Sequence, residues 1–357
     1  MHIIRSEERE LFEFLVKPQK NGVIVSGIIG CGKTTLIQTV LSQIRAERGI
    51  DVFEFSGDDV LFRNAVATDT KMIHQHLRSK TTGRALIFVD EVQKSEAIFD
   101  AIKYAFDHSD VSFVISGSNP AYLNTVARKR LQRRADWLSL QPFSMSEILH
   151  HAGLIPAGLE QDFFALLQGS KSGADHAGAE KYPGLRLTDQ IDSLCQRYLD
   201  IGGLPRAWLA DSRQESLVHV RQTVERGFEA MSKDTENLSD QTRVEIGRLH
   251  SREFTYQNIF KRTGIRRRDL INGILDDLVN HGYLYRKKPL FPGEHRRSYL
   301  TVYSYVDPGI VTYLTALAPE AVELGFRIEG YVHAKLSNLV SKIPLKSQLG
   351  FFKPNVL

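Results

Sequence analysis

The chemistry in this sequence is concentrated in a glycine-rich segment near the N-terminus. Gly27 and Gly32 have four residues between them and are followed directly by Lys33 and Thr34, which is the Walker A spacing of a phosphate-binding loop. In such a loop successive backbone N–H groups point at phosphate oxygens, the lysine reaches the β- and γ-phosphates, and the hydroxyl binds a metal ion. A glycine-rich turn that binds nothing is the alternative. The predicted phosphate-binding residues are Gly27, Ile28, Ile29, Gly30, Cys31, Gly32, Lys33, Thr34 and Thr35.

A pair of carboxylates supplies the second half of the predicted site. Asp90 and Glu91 follow the apolar run 85–89, and ligands of α/β proteins bind at the carboxyl ends of such strands. Asp90 and Thr34 are expected to hold the Mg²⁺ shell, and Glu91 is expected to act as general base on the attacking water. ATP and Mg²⁺ are therefore the predicted cofactors. The alternative is that both carboxylates are only the polar end of a strand.

Other polar and basic side chains stand where they could assist this chemistry. Ser116, Ser118 and Asn119 end the next apolar run, so each could bind the γ-phosphate or the attacking water, with Ser118 our candidate; a simple turn is the alternative. Arg133 or Arg134, in the basic run 128–134, could complete a neighbouring subunit's site as an arginine finger. A solvated charged face is the alternative, and a homo-oligomer is one partner that this interpretation predicts.

Hydrophobic periodicity indicates the elements that position these residues. Over residues 1–143, short β-branched runs alternate with amphipathic, helix-length segments, a pattern typical of a parallel sheet covered by helices. We predict an α/β domain of the P-loop type with a five-stranded parallel sheet. The predicted strands are 22–26, 51–55, 85–90, 111–116 and 137–140, and the predicted helices lie near 33–47, 69–79, 95–106 and 120–132.

Helical periodicity replaces the strand signals after about Ser144. Residues 144–233 are predicted to be a helical lid with a mobile loop at 169–184, whose Gly, Ser, Ala and Lys content cannot bury a core. Residues 234–317 have the order of a winged helix, three helices and then two strands. The predicted helices are 145–151, 159–167, 187–201, 216–232, 241–249, 255–263, 267–281 and 319–342, and the predicted strands are 283–287, 298–306 and one starting at 349–352.

Charge is divided unevenly along the chain. The net charge is +4, whereas residues 252–300 alone carry +6, which favours a polyanion-facing surface. A recognition helix docks its N-terminal residues in the major groove of duplex DNA, where three consecutive arginines would meet phosphates or guanines. Winged helices also dock proteins, so a partner protein is the alternative. The predicted nucleic-acid residues are Arg266, Arg267, Arg268, Lys288, Arg296 and Arg297.

Length and composition exclude several other classes of protein. The 357 residues are 42% hydrophobic and 25% charged, which are globular values and exclude a disordered, collagen-like or disulfide-stapled chain. The apolar runs are far shorter than the roughly 20 residues of a membrane-spanning helix, and the N-terminus has no signal or transit pattern. Cys31 and Cys195 have no metal-ligand partner at short spacing. We expect a cytoplasmic protein with reduced thiols and no membrane partner.

Five motifs in one order carry a family resemblance. They are the Walker A segment, Asp90-Glu91-Val92-Gln93, Ile115-Ser116-Gly117-Ser118, Gln141-Pro142-Phe143-Ser144 leading to Glu147, and Gly202-Gly203-Leu204-Pro205-Arg206. Over nearly its whole length the chain resembles the prokaryotic AAA-type P-loop ATPases that carry a lid, a winged helix and a nuclease-like C-terminal domain of unknown function. The Walker motifs are specific for nucleotide binding, and the other motifs only place the chain within the superfamily.

The resemblance implies further roles. Arg206 would be a lid arginine that touches the γ-phosphate, although a helix-starting turn is the alternative. Arg133 or Arg134 fits the family's Gly-Arg finger position, with Arg133 in place of the glycine. Residues 318–357 resemble the start of the nuclease-like domain but stop before its acidic strand, so nuclease activity is not expected. The resemblance thus favours an ATP-hydrolysing switch or motor, slow without a partner, that acts on DNA; the alternative is a nucleotide-bound scaffold or sensor.

Overall fold

A computed structural model describes residues 3–81, 83–156, 189–250, 253–254, 256–287, 301–318 and 323–341. Several predictions lie outside these residues: the helix at 159–167, the mobile loop at 169–184, the strand starting at 349–352, and the basic residues Lys288, Arg296 and Arg297. The chain divides into two compact units. The first comprises Ile4–Gln141 with Asn280–Gly282, and the second comprises Met1–Ile3, Pro142–Val279 and Tyr283–Leu357.

A five-stranded, all-parallel sheet forms the centre of the first unit. Every residue of the adjacent strands Gly22–Ser26 and Val111–Gly117 is buried, whereas the strand Asp51–Ser56, at an edge of the sheet, is half exposed. Central strands of a parallel sheet are buried on both faces and therefore read as continuous apolar runs, which is why they could be predicted. The predicted α/β fold is confirmed. The strands are β1 (Gly22–Ser26), β2 (Asp51–Ser56), β3 (Ala85–Asp90), β4 (Val111–Gly117) and β5 (Asp136–Ser139), in the spatial order β2-β3-β4-β1-β5.

Six α-helices accompany this sheet, two more than the sequence predicted. They are α1 (Ser6–Leu15), α2 (Lys33–Arg48), α3 (Val60–Thr68), α4 (Met72–Lys80), α5 (Glu96–His108) and α6 (Pro120–Arg130). The helix predicted at 69–79 is α4, and α3 precedes it as an unpredicted element. Asp59 begins α3 by accepting hydrogen bonds from Leu61 N and Phe62 N. Only Phe62 and Val66 of α3 are buried. Two buried residues are too few to produce a recognisable helical periodicity in the sequence.

The hydrophobic core of this unit lies between the central strands and α5. Ile87, Phe113 and Ile115 of the strands pack with Phe99 and Ile102 of α5, and all five are fully buried. Burying one such side chain contributes about 1.5–3 kcal/mol. The strands β1, β3 and β4, at whose ends the predicted site lies, therefore contribute to this buried core.

The second unit is mostly helical and holds a small antiparallel sheet with the order β6-β8-β7. Its strands are β6 (Glu253–Phe254), β7 (Leu284–Lys287) and β8 (Thr301–Tyr305). Its described helices are α7 (Met145–His151), α8 (Asp189–Ile201), α9 (Pro205–Trp208), α10 (Arg213–Glu229), α11 (Lys233–Glu236), α12 (Asp240–Gly247), α13 (Tyr256–Thr263), α14 (Arg268–Asn280), α15 (Pro308–Leu314) and α16 (Leu324–Ser341). None of the helices in the described ranges is long and apolar enough to cross a membrane.

The predicted order of three helices and two strands is present as α12, α13, α14, β7 and β8. Two elements near it were missed. Strand β6 is only two residues long, and α15 starts at Pro308, in the Asp-Pro-Gly sequence that resembles a turn; Asp307 caps it by accepting from Gly309 N. The division of residues 144–357 into a lid, a winged helix and a C-terminal remnant stays a prediction.

Candidate nucleotide-binding site

The glycine-rich loop leaves β1 and enters α2, which is the strand–loop–helix placement that the sequence predicted. Gly30 and Gly32 have φ angles of 77° and 95°, left-handed values that glycine adopts without steric penalty. Gly27 has no room for a side chain, because a Cβ there would lie 2.2 Å from the carbonyl oxygen of Leu140. Since Gly32 is the N-cap of α2, the N–H groups of the first helical turn, which have no carbonyl partner within the helix, lie at the loop, an arrangement that favours anions.

Lys33 lies inside the loop. Its side chain is 6% exposed, and Nζ donates hydrogen bonds to the carbonyl oxygens of Gly27 and Ile28, each at 3.0 Å. Both acceptors are uncharged, so the lysine adds its charge to the positive end of α2. The arrangement provides the electrostatics that phosphate binding requires.

Thr34 and Asp90 come together from separate elements. Thr34 Oγ1 donates to Asp90 Oδ2 at 2.8 Å, while Asp90 Oδ1 accepts from the Ser116 hydroxyl and from Glu91 N. A hydroxyl and a carboxylate are hard oxygen ligands, and Mg²⁺ is usually held by one or two carboxylates together with substrate phosphates. This donor set fits Mg²⁺. Among the described residues no group of three or more His, Cys, Asp or Glu could hold a metal ion.

Glu91 has a left-handed backbone conformation, and its carboxylate accepts two hydrogen bonds. Its φ of 49° lies in the left-handed region, which costs a non-glycine residue about 1–3 kcal/mol. Glu91 Oε2 accepts from Gln93 Nε2 and, at 3.2 Å, from Ser118 Oγ; Gln93 Nε2 also donates to Ser118 Oγ at 3.0 Å. These three side chains form a closed triangle that fixes the carboxylate at the end of β3. Gln93 belongs to the predicted Asp90–Gln93 motif, but the sequence assigned it no role.

Two glycines allow the neighbouring loops to support this triangle. Gly57 N donates to Asp90 O at 2.7 Å, and a Cβ on Gly57 would lie 2.1 Å from Glu91 O. On the other side, a Cβ on Gly117 would lie 2.4 Å from Gln93 Oε1. The loop after β2 therefore contacts the backbone of Asp90 and Glu91, and the end of β4 contacts Gln93.

Two contacts at the site have no counterpart in the sequence analysis. Arg5 is 5% exposed, and its guanidinium donates to the carbonyl oxygens of Cys31, inside the loop, at 3.0 Å and of Gln141 at 2.6 Å. Asn119 caps α6 through Oδ1, and its Nδ2 lies 3.1 Å from Nε2 of His281. Neither contact has a local sequence signature, since each joins residues far apart in the chain.

The two finger candidates differ in their surroundings. Arg134 binds Asp107 in a bidentate pair, Nε to Oδ1 at 2.8 Å and Nη2 to Oδ2 at 3.0 Å, and this guanidinium lowers the pKa of Asp107. Arg133 is exposed and follows Gln132, whose φ of 54° is left-handed. Arg134 is therefore held by an ion pair, whereas Arg133 is exposed to solvent.

Arg206 is exposed on the short helix α9 of the second unit. The turn before it is held by two contacts: Gly203 O accepts from Phe143 N at 2.8 Å, and Gly203 N donates to Asp307 Oδ2 at 2.6 Å. Two of the motifs that carry the family resemblance, at 141–144 and 202–206, therefore meet in the structure. Asp307 was missed by the sequence analysis because it lies a hundred residues away from the turn.

The three arginines at the start of α14 are placed unequally. The guanidinium of Arg266 lies over the ring of Phe260, 5.1 Å from its centroid, and that of Arg268 lies 5.3 Å from the centroid of Tyr256. Arg267 instead pairs with Asp269 at 2.7 Å. Two of the predicted nucleic-acid residues are thus stacked on aromatic side chains of α13, and the third is paired with a carboxylate.

Comparison with known proteins supports a nucleotide-binding role for the region that contains the glycine-rich loop. Residues 19–149 match the family model of the AAA domain, a range that contains the glycine-rich loop, the carboxylates and both finger candidates. No curated protein matches the chain. The match covers about a third of the chain, so the similarity to the AAA domain is limited to residues 19–149.

Solved structures align only weakly. Drosophila ORC bound to DNA aligns with a TM-score of 0.35 and 12% identity over 92% of this chain and 94% of that one. Cdc6p from Pyrobaculum aerophilum gives 0.33 and 13% over 88% and 93%, and Pif1 helicase from Candida albicans gives 0.30 and 12% over 53% and 48%. This chain thus spans about half the length of the Pif1 chain.

Proposed function

We propose that the chain binds ATP with Mg²⁺ at the Gly27–Thr35 loop and hydrolyses it, as a nucleotide-driven switch or motor. The observation that carries the proposal is the 2.8 Å bond between Thr34 Oγ1 and Asp90 Oδ2. It joins the helix that follows the phosphate loop to the end of β3, a strand separated from β1 by β4. A glycine-rich turn that binds nothing would not require the hydroxyl that follows it to lie against a carboxylate at the end of another strand.

Each residue of the site then has a distinct task. The N–H groups at the start of α2 and the Lys33 ammonium bind phosphate oxygens. Mg²⁺, when bound, supplies positive charge that offsets the charge on the phosphates. Glu91 takes a proton from the attacking water, and Gln93 and Ser118 hold its carboxylate through the bonds to Oε2.

We assign the finger role to Arg133 rather than Arg134 in a homo-oligomer of this chain. The exposed Arg133 could reach a neighbouring subunit directly, whereas Arg134 would first have to leave its bidentate pair with Asp107. Arg206, exposed on α9, is the proposed lid arginine. An arginine finger that stabilises the transition state contributes about 10³–10⁵ in turnover, so turnover without a partner subunit should be slow.

Nucleotide binding is tested by Lys33→Ala. We expect this variant to lose binding of a fluorescent ATP analogue in the presence of Mg²⁺, because the phosphates lose their main cation. Lys20→Ala is the matched control, since Lys20 is an exposed lysine of the same unit that donates to Phe106 O. Equal affinity in wild type and Lys33→Ala would remove the assignment of the site.

Hydrolysis is tested separately by Glu91→Gln. This variant should bind ATP as the wild type does and release no phosphate, because only the general base is lost. Equal turnover in the two proteins would favour the alternative function, a nucleotide-bound scaffold or sensor that docks a partner protein through the second unit.

We further propose that the start of α14 contacts duplex DNA. What supports this is the pair of arginines stacked on Phe260 and Tyr256, because stacking orders the guanidinium groups before they meet phosphates. The aromatic faces are covered by these arginines, so base stacking of a single strand is the less favoured mode. Stimulation of ATP hydrolysis by duplex DNA, compared with single-stranded DNA of the same length, tests this assignment.

A further inference from the structure

Arg5 is a buried cation at the phosphate loop to which the proposed function gives no task. Its side chain is 5% exposed, and it comes from the segment before β1, immediately ahead of α1. Nη1 donates to the carbonyl oxygen of Cys31 and Nη2 to that of Gln141. One guanidinium thus ties the loop to the chain segment that follows β5.

The bond to Cys31 also determines the direction of the next N–H group. The peptide group between Cys31 and Gly32 is planar and trans, so its C=O and N–H point in opposite directions. Because Arg5 holds the carbonyl oxygen, the N–H of Gly32 points away from Arg5. Among the described residues there is no hydrogen-bond acceptor for this N–H, and Gly32 is the N-cap of α2, where the phosphate-binding N–H groups lie.

Arg5 acts on that N–H electrostatically as well. A guanidinium that binds a carbonyl oxygen polarises the whole amide and makes its N–H a stronger donor. Gly32 can swing its peptide groups easily, because its φ of 95° is accessible to glycine without penalty and glycine has the greatest conformational freedom. Without Arg5 this peptide group would sample several orientations, and ordering it would cost free energy whenever phosphate binds.

We infer that Arg5 is a positioning residue of the nucleotide site, which orients and polarises the Gly32 N–H for a phosphate oxygen through its hydrogen bond to Cys31 O. The inference rests on the proposed ATP binding and adds a residue outside the Walker motifs. The Gly32 N–H would bind a phosphate oxygen and not the nucleoside, so the inference applies equally to ATP and to inorganic tripolyphosphate.

Arg84 provides a matched control for a purely structural role. It is a partly buried arginine of the same unit, and its guanidinium also donates to backbone carbonyl oxygens, those of Leu15, Pro18 and Gln19. Arg84 directly precedes β3, whereas Asp90 ends that strand. Replacing either arginine therefore removes similar backbone contacts, but only Arg5 contacts the loop.

The experiment compares wild type, Arg5→Met and Arg84→Met, each with Mg²⁺. Methionine keeps much of the side-chain volume and removes every donor. Affinity is measured by direct titration with a fluorescent ATP analogue and by its displacement with tripolyphosphate. We expect Arg5→Met to weaken both ligands about tenfold, the effect of losing one hydrogen bond to a charged group, and Arg84→Met to stay within about twofold of wild type. In steady-state hydrolysis Arg5→Met should raise KM more than it lowers kcat.

The outcomes separate this inference from the proposed function. Wild type that binds neither ligand would overturn both. Wild-type binding with equal affinity in Arg5→Met, or an equal loss in Arg84→Met, would overturn the role of Arg5 and leave ATP binding in place. If thermal unfolding shows Arg5→Met to be unfolded, Arg5→Gln takes its place, since glutamine keeps N–H donors that support folding but loses the charge that polarises the amide. Tripolyphosphate affinity should still fall in Arg5→Gln, and an unchanged affinity overturns the inference.

Discussion

Glu91 illustrates how a single residue can be constrained at both its backbone and its side chain. The left-handed φ of 49° turns the chain sharply after β3, and the bonds from Gln93 and Ser118 then hold Oε2. Strained backbone conformations of this kind persist where the surroundings over-determine them. Gly57, after β2, and Gly117, at the end of β4, contribute because a side chain at either position would collide with Glu91 or Gln93. The candidate base is therefore positioned before any substrate arrives.

Gln93→Ala tests whether this positioning matters for catalysis. We expect kcat for ATP hydrolysis to fall about tenfold with KM unchanged, because a carboxylate that samples several staggered rotamers is seldom aligned with the water. Phosphate release at saturating ATP measures the effect. Gln43→Ala is the control, since Gln43 makes a similar amide–carboxylate bond to Glu47 on an exposed part of α2. A rise in kcat would show instead that Gln93 restrains Glu91 in a resting position.

At the scale of elements, α13 and α14 present three arginines with unequal freedom to bind phosphate. Each phosphate contact on duplex DNA contributes about 0.9 to the slope of log affinity against log salt concentration. Arg266 and Arg268 are exposed and lie over aromatic rings, whereas Arg267 pairs with Asp269. We therefore expect the three arginines to contribute unequally if this segment binds DNA.

We expect Arg266→Ala and Arg268→Ala each to flatten the salt slope by about 0.9, and Arg267→Ala to flatten it by less than half of that. Fluorescence anisotropy of a labelled duplex over a series of salt concentrations gives the slopes. Arg9→Ala, which removes an exposed arginine paired with Glu13 on α1, should leave the slope unchanged. Equal slopes in all variants would assign this face to a partner protein.

The elements also show what the sequence can and cannot predict. Buried strands such as β3 and β4 are continuous apolar runs, and Lys33, Thr34 and Asp90 stand at recognisable spacings next to them. These features are local, so they could be predicted. Helix α3 buries too few residues to be recognised.

The missed parts of the site are long-range contacts. The bonds from Arg5 to Cys31 and Gln141 span 26 and 136 positions, and no pattern of neighbouring residues encodes them. Gln93 lies within a predicted motif, but its bond to Glu91 depends on the left-handed turn at that glutamate. Only the folded chain shows that turn.

At the scale of the whole chain, one buried carboxylate connects distant segments of the second unit. Asp307, two residues after the end of β8, is fully buried; Oδ2 accepts from Gly203 N and Oδ1 from Gly309 N. A Cβ on Gly202 would lie 1.9 Å from Oδ1, so a glycine is required opposite this carboxylate. The turn that carries Arg206 is thus fixed by a residue a hundred positions later in the chain.

Burial raises the pKa of Asp307 to about 6, although hydrogen bonds from the backbone N–H groups of Gly203, Gly309 and Ile310 lower it in part. The folded chain therefore takes up a proton at higher pH than the unfolded chain, whose aspartate has its usual pKa of 3.8. The sign follows from linkage: this group makes the free energy of unfolding rise as the pH falls from about 6 towards 4. His250 acts in the opposite direction, because burial lowers its pKa to about 4 and folding must then exclude a proton.

Asp307→Asn isolates the contribution of this carboxyl group, since both proteins retain His250 and every other titrating group. Between pH 7 and pH 5 the wild type should gain roughly 1 kcal/mol from Asp307 that the variant does not gain. Urea unfolding of both proteins at the two pH values measures how much more the free energy of unfolding changes in the wild type than in the variant. Asp211→Asn, at an exposed aspartate, is the control, and its free energy of unfolding should change with pH as that of the wild type does. If Asp307→Asn also changes with pH as the wild type does, the carboxyl is already ionised at pH 5 in the folded chain. The three N–H donors would then outweigh burial, and the turn before Arg206 would keep its anchor throughout this pH range.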